Sequence, residues 1–233
     1  MKDAAVPQHC LHRHQLVWLT RDGWRQILDA PWDAQARECL AWWADDRLPL
    51  VVTRQHAQSA STDAVSLGLA APAKWRRRRL AMEVPKRDLM VFDEFPQGRL
   101  VERQLPVATR AAWRDLCSAL EACGATPRIH GSHGWEHVTR LSYVRRQSDI
   151  DICLRVQDGA HADAVAALLD GWQMSDPRLD GELAFPNGAA VAWREWIALR
   201  TGRSSAVLVK ELHGCRLAKD PLRDQALEFG ARQ

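Results

Sequence analysis

The sequence predicts an α+β protein: a mixed sheet flanked by helices, preceded by a smaller N-terminal α/β module. Three observations carry this. Runs at 48–54, 148–156 and 206–210 are β-branched or alternate apolar with polar, and they are strand-length rather than helix-length. Between and beside them, segments at 33–46, 109–123 and 160–172 repeat their apolar residues at helical spacing. A stretch broken by Pro85, Pro96, Gly98 and Pro106 then divides the chain, giving an N-terminal module at 1–105 and a second, catalytic domain at 106–233.

The bulk numbers are compatible with this. A chain of 233 residues with 46% apolar content can bury a real core. The net charge of +3 is mild but unevenly placed, with Arg76-Arg77-Arg78-Arg79 as one basic run and Arg145-Arg146 as a second. Six cysteines form no C-x-x-C pair, which argues against a zinc ribbon or a thioredoxin-type motif, and Cys39, Cys117 and Cys153 sit in apolar surroundings as expected buried thiols. The start has no basic-then-apolar leader pattern, and no run of about 18 apolar residues exists to span a bilayer. The expectation is a soluble, cytoplasmic protein of a reducing compartment with no membrane partner. Eleven tryptophans against one tyrosine are expected mostly to fill core.

In the N-terminal module, His9, His12 and His14 fall within six residues. They carry a metal reading and a plainer one, a polar lead-in to a strand at 15–19. No second ligand group has matching spacing, so the plainer one is preferred. Asp33 caps the helix at 33–46, whose Ala36, Leu40 and Trp43 share a face. Strands follow at 48–54, 65–70 and 79–84, with a polar loop at 55–63. The arginine run is either a solvated face or a seat for a polyphosphate or an acidic partner.

Thr109 is a plausible cap for the next helix, whose Ala112, Leu116, Ala119 and Leu120 make a stripe ending at Cys123-Gly124. A short strand at 127–130 runs into Gly131-Ser132, with a helix at 135–141 and a strand at 148–156. After the helix at 160–172, strands at 179–186 and 189–193 meet at Asn187-Gly188, a strong hairpin signal. A short segment at 195–200, a strand at 206–210 and a C-terminal helix at 222–229 complete the chain.

The chemistry concentrates between Gly131 and Val156. Ile150, Ile152 and Leu154 alternate with Asp149, Asp151 and Cys153, so Asp149 and Asp151 project from one face, two residues apart. Two such carboxylates repel unless a cation lies between them, and their hard oxygens suit Mg²⁺. Gly131-Ser132 at a strand-to-helix turn offers free backbone N–H groups, a phosphate seat. Phosphoryl and nucleotidyl transfer need this combination of positioning and neutralised charge. A third carboxylate usually completes such a site; Asp180 and Glu182 share a strand face and are the candidates, Asp180 slightly preferred, with Glu195 a weaker third. Lys210, Arg145 and Arg146 could bind phosphates, although a basic residue at a strand end is as often a solvated charge. Singly, each feature has an ordinary explanation as an exposed strand end or a common turn; the ordered combination favours catalysis. A G-x-S-x-G elbow and a G-x-x-x-x-G-K-[ST] loop are both absent.

The constellation Gly131-Ser132 and Asp149-Ile150-Asp151 resembles the nucleotidyltransferase superfamily, with its small mixed sheet. A longer pattern runs through His14-Gln15-Leu16-Val17-Trp18-Leu19, the Leu-Pro-Leu-Val-Val-Thr-Arg strand, Gly131-Ser-His-Gly-Trp-Glu, Ser148-Asp-Ile-Asp-Ile and Asp180-Gly-Glu with Gly188-Ala-Ala-Val-Ala-Trp-Arg-Glu. It resembles the phosphoribosyl-dephospho-CoA transferases of malonate decarboxylase systems, also called holo-acyl-carrier-protein synthases. The resemblance implies that Asp149 and Asp151 match the family's essential Asp-x-Asp. It implies triphosphoribosyl-dephospho-CoA as substrate and a serine of the apo acyl-carrier subunit of malonate decarboxylase as acceptor, with pyrophosphate leaving. Acidic carrier proteins would then be steered by the arginine clusters. Two other readings compete: a nucleotidyltransferase acting on a small molecule such as an aminoglycoside or on another protein, and a basic, tryptophan-rich module binding RNA or an acidic partner. The second has little reason to set two carboxylates beside a phosphate-type turn, and no nucleic-acid partner is expected.

Overall fold

A computed structural model describes residues 11–55, 63–174 and 176–222. His9, most of the expected loop at 55–63 and nearly all of the expected C-terminal helix lie outside the described residues.

The N-terminal module follows from one-sided strands and two capped helices. Its elements are β1 (Leu16–Leu19), α1 (Arg21–Asp29), α2 (Ala34–Asp45), β2 (Leu50–Val52), β3 (Ala64–Ala70), β4 (Arg79–Pro85) and β5 (Leu89–Asp93). The sheet has five strands in the order β4-β3-β2-β1-β5, antiparallel throughout. In β4, Leu80, Met82 and Val84 are buried and their neighbours exposed, the period of a sheet with one wet face. Asp33 caps α2 as expected, accepting from the Ala36 N–H at 2.9 Å; the Thr20 hydroxyl does the same for α1 at Gly23.

Two elements here were not legible. α1 buries Gly23, Trp24 and Ile27, with Leu28 packed against the core, amid charged residues. β5 lies within the stretch expected to be a linker, and as an edge strand beside β1 it leaves Met90 and Val91 in solvent.

The second module comprises α3 (Arg110–Ala122), β6 (Arg128–His130), α4 (Gly131–Thr139), β7 (Ile150–Arg155), α5 (Gly159–Asp170), β8 (Leu179–Ala184), β9 (Ala190–Ala192), α6 (Trp193–Arg200), β10 (Val207–Lys210) and β11 (Cys215–Ala218). Its sheet has six strands in the order β11-β10-β9-β8-β7-β6. β7 and β8 are parallel, joined through α5; the remaining pairs are antiparallel. The sheet is therefore mixed and flanked by helices. The Asn187-Gly188 hairpin forms between β8 and β9, with Gly188 at φ +84°.

Several boundaries moved. α4 begins at Gly131 rather than at Trp135, so Gly131 and Ser132 are its first turn. On α3 the buried face is Trp113, Leu116, Cys117 and Leu120, while Ala112 is exposed. The Thr109 hydroxyl donates back to the Pro106 carbonyl and caps no helical N–H. Of the expected buried thiols, Cys39 and Cys117 are buried and Cys153 is only partly so, because it shares the open face of β7 with Asp151.

Each sheet has its own apolar core, and seven of the eleven tryptophans are buried in them. A fully buried large apolar side chain contributes about 1.5–3 kcal/mol. Phe95, Trp135 and Tyr143 follow the first sheet in sequence yet pack into the first core. The Tyr143 hydroxyl donates to the Ala70 carbonyl at 2.6 Å, and Arg77 donates to the Tyr143 carbonyl at 3.1 Å. The helix bearing Gly131-Ser132 is thus wedged against the N-terminal sheet, which becomes one wall of a cleft.

Candidate active site

The site begins where β6 runs into α4. Gly131 has φ +59°, a conformation that L side chains rarely adopt. A Cβ there would also overlap the Asp151 carboxylate, so glycine is what lets Asp151 lie against the first turn of α4. His130 and Asp151 are register partners across β6 and β7, and Asp151 and Asp180 across β7 and β8. Three strands therefore deliver His130, Asp151 and Asp180 side by side. Asp149 stands just ahead of β7, on the same face as Asp151.

These carboxylates are short of positive charge. No hydrogen bond or ion pair reaches the Asp151 carboxylate among the described residues. Burial, and next to it the charges of Asp180 and Asp149, push its pKa up to about 6. Among the described residues one cation enters the cluster: the Arg178 Nη2 lies 2.9 Å from Asp149 Oδ2 and 3.2 Å from Asp180 Oδ2. Among the described residues, no group of three or more His, Cys, Asp or Glu side chains stands ready to hold a metal ion. The donor set nonetheless suits a hard divalent cation, with carboxylate oxygens in excess of positive charge.

Glu182, the other candidate third carboxylate, is placed differently. It is buried and bonded to Arg13 at 2.9 and 3.2 Å, with Lys210 Nζ at 3.3 Å and His14 Nε2 at 3.6 Å. Burial alone would raise its pKa; the hydrogen bonds from His14 and Arg13 outweigh burial and hold the carboxyl well below the usual range. Such a carboxylate is a poor proton acceptor. Asp180, unlike Glu182, is the register partner of Asp151 and shares Arg178 with Asp149. His14 also stacks on His130, ring centroids 4.4 Å apart, and burial above all pushes the His130 imidazole down to about 3.

The cleft between the modules has a volume of about 780 Å³. Gly131, Ser132, Asp151 and Lys210 line it from one side, and Arg54, Arg77 and Arg79 from the N-terminal module. Val51, Leu69, Leu80, Trp135 and Tyr143 add apolar surface. Arg145 and Arg146 do not join this group. They are exposed and border a separate cavity with Arg103, Arg110 and His133, on the connection from α4 to β7. Lys210 reaches the cleft but is shared with Glu182. The arginine run is divided: Arg78 pairs with Asp33 at 2.6 Å, while Arg77 and Arg79 line the cleft. Glu195 is outside the site, accepting from the Leu208 N–H.

Arg13, His130 and Arg178 were given no place in the site by sequence reasoning, and His14 was read only as a strand lead-in and part of the family pattern. Arg178 had a signal, since it alternates with Asp180 and Glu182. Arg13 had none, being 169 positions from its partner Glu182.

With this geometry in hand, comparison with known proteins places the chain. The profile of the phosphoribosyl-dephospho-CoA transferase MdcG N-terminal domain matches residues 12–93, and that of the MdcG C-terminal domain matches residues 97–221. A phosphoribosyl-dephospho-CoA transferase of Xanthomonas euvesicatoria pv. vesicatoria is 34% identical over 207 residues, 88% of this chain and 92% of that protein. One from Xanthomonas campestris pv. campestris is 36% identical over 208 residues, 88% and 92% of the two chains. One from Bradyrhizobium diazoefficiens is 32% identical over 205 residues, 86% of each. No solved structure matches the chain. Two matched domains and these relatives along most of its length show that the chain is a transferase and belongs to the phosphoribosyl-dephospho-CoA transferase family.

Proposed function

We propose that this protein transfers the phosphoribosyl-dephospho-CoA group from 2′-(5″-triphosphoribosyl)-3′-dephospho-CoA to a serine of the apo acyl-carrier subunit of malonate decarboxylase, releasing pyrophosphate. The observation that carries this reading is the meeting of Gly131-Ser132 and Asp151, with Asp180 as its register partner, on a cleft whose other wall bears Arg54, Arg77 and Arg79. The backbone N–H groups of the first turn of α4 would seat the phosphate chain. The three arginines opposite would neutralise its outer charges. The apolar lining is suited to the adenosine and pantetheine parts.

Asp149, Asp151 and Asp180 would hold Mg²⁺. When bound, the ion neutralises the triphosphate and eases departure of pyrophosphate. The chain's own residues position the α-phosphorus for in-line attack by the carrier serine. Glu182 serves this by fixing Arg13, His14 and Lys210, not by accepting the proton. The N-terminal module at 1–105 acts as the substrate wall and the domain at 106–233 as the catalytic half. The reaction belongs to the cytoplasm, where malonate decarboxylase would be met; among the described residues no helix is long and apolar enough to cross a membrane.

Incubation of the full chain with the triphosphoribosyl precursor, Mg²⁺ and apo carrier subunit, read by intact mass, tests this. The expected result is a carrier heavier by one prosthetic group, absent with Asp149→Ala. Transfer to no carrier by the wild type would sink the proposal.

A further inference from the structure

We infer that Arg178 is a stand-in cation for the Asp149–Asp180 pair in the metal-free enzyme. It releases the pair when a divalent cation binds, and its freed guanidinium then takes the substrate's phosphate chain. The inference rests on the proposed metal-dependent reaction and adds a residue to it.

Four observations support it. First, a single nitrogen, Nη2, serves both carboxylates, leaving Nε and Nη1 uncommitted to this cluster. A guanidinium held by its two-pronged face would be locked more firmly. Second, the side chain is 57% exposed, against 39% for Asp149 and 44% for Asp180, and ion pairs this open are weak and easily exchanged. Third, the Arg178 carbonyl accepts from the Ile150 N–H at 2.8 Å, pinning the backbone at the start of β7. Only the side chain need move, and it stays tethered beside the site. Fourth, the charges favour the exchange: Asp149, Asp151 and Asp180 with Arg178 present two unbalanced negative charges. A divalent cation brings twice the charge of Arg178, so it is the stronger partner for the three carboxylates, and one negative charge remains among them when Arg178 has left. Once it occupies the carboxylates, the displaced Arg178 restores one positive charge to the place where a polyanionic substrate must dock. Planar guanidinium donors fit phosphate oxygens well.

Binding of Mn²⁺ to the full chain, followed by electron paramagnetic resonance, tests the first half. Relative to wild type, Arg178→Gln should bind free Mn²⁺ about three- to tenfold more tightly, since a competitor of exposed-pair strength is gone. Arg178→Lys, which keeps the charge but not the planar head, should fall between. Arg25→Gln, on α1 and paired with Asp22, should match wild type. The second half is tested with preformed Mn²⁺–tripolyphosphate, which Arg178→Gln should bind about tenfold more weakly than wild type. Thermal melts accompany each variant; the exposure of Arg178 means no loss of fold is expected. Wild type that binds Mn²⁺, with Arg178→Gln equal to it or weaker, overturns the stand-in role while leaving the metal site intact. Arg178→Gln that binds the tripolyphosphate complex as well as wild type overturns the phosphate role. Wild type and Asp149→Ala that both fail to bind Mn²⁺ would remove the metal reading itself, and this inference with it.

Discussion

Asp180 and Glu182 stand two residues apart on β8, on one face of one strand, and the protein surrounds them in opposite ways. Glu182 is buried under two cationic side chains and a histidine, Arg13 and His14 from the turn before β1 and Lys210 from β10, and its carboxyl is held ionised. Asp180 faces Asp151 across the parallel ladder, with one exposed arginine between it and Asp149. The first arrangement is complete without a ligand. The second is left unbalanced, and burial plus like charge raise Asp151 to about 6. Perturbed carboxylates in a cleft are characteristic of functional sites. The difference separates a carboxylate that ties the two modules together from carboxylates that, in the proposed function, would receive a cation and a phosphate chain.

The sharpest way to break this comparison is to neutralise one member of each group. Asp151→Asn should cut the transfer rate by about 10²–10³-fold while leaving the melting temperature at neutral pH unchanged or raised, because it removes a repelled charge. Glu182→Gln should do the reverse. Arg13 and Lys210 would lose their partner in a region screened from water, costing about 2–3 kcal/mol of stability, with a smaller effect on rate. Equal losses of stability in the two variants would erase the distinction.

Gly131→Ala tests how closely the unbalanced group depends on backbone. The positive φ costs an L residue about 1–2 kcal/mol, and the added methyl must push Asp151 aside. A rate reduced about 10²-fold in a folded protein is expected; near-normal turnover would show that Asp151 need not touch the first turn of α4.

Much of this was legible in the sequence for a physical reason: the information was local. Asp149 and Asp151 share a face because strand side chains alternate, the Asn187-Gly188 hairpin is written in two residues, and Asp33 caps its own helix. What was not legible is non-local. The choice between Asp180 and Glu182 depends on Arg13, which arrives from the far end of the chain, and on Lys210 from β10. Arg145 and Arg146 were placed with the aspartates by proximity in sequence, but the residues following α4 carry them to another cavity. β5 was missed because an edge strand with exposed Met90 and Val91 has no clean alternation. α4 read as starting late because a positive-φ glycine at the first helical position looks like a turn.

The comparison also predicts two opposite dependences of metal-free stability on pH. Asp151 has a folded pKa near 6 against an ordinary value of 3.8. The native state therefore holds its proton more strongly, and its contribution is fully present below about 4 and is lost as pH rises through 6. The loss is on the order of 2 kcal/mol, after allowing for its partial contact with solvent. Glu182 has its pKa lowered, so its contribution is fully present above the ordinary value of 4.5 and is lost only gradually as pH falls from there toward its much lower folded value. Melting curves in EDTA from pH 4 to 8 isolate each group by difference, because the remaining titrations are shared. Asp151→Asn minus wild type should grow from about zero at pH 4 to a gain of a few degrees above pH 6. Glu182→Gln minus wild type should show a flat, full deficit from pH 8 to about 5 and only begin to shrink at pH 4. Two difference curves of the same sign and shape would mean that both carboxylates sit in equivalent surroundings, and the division of β8 into an anchoring and a cation-seeking carboxylate would not stand.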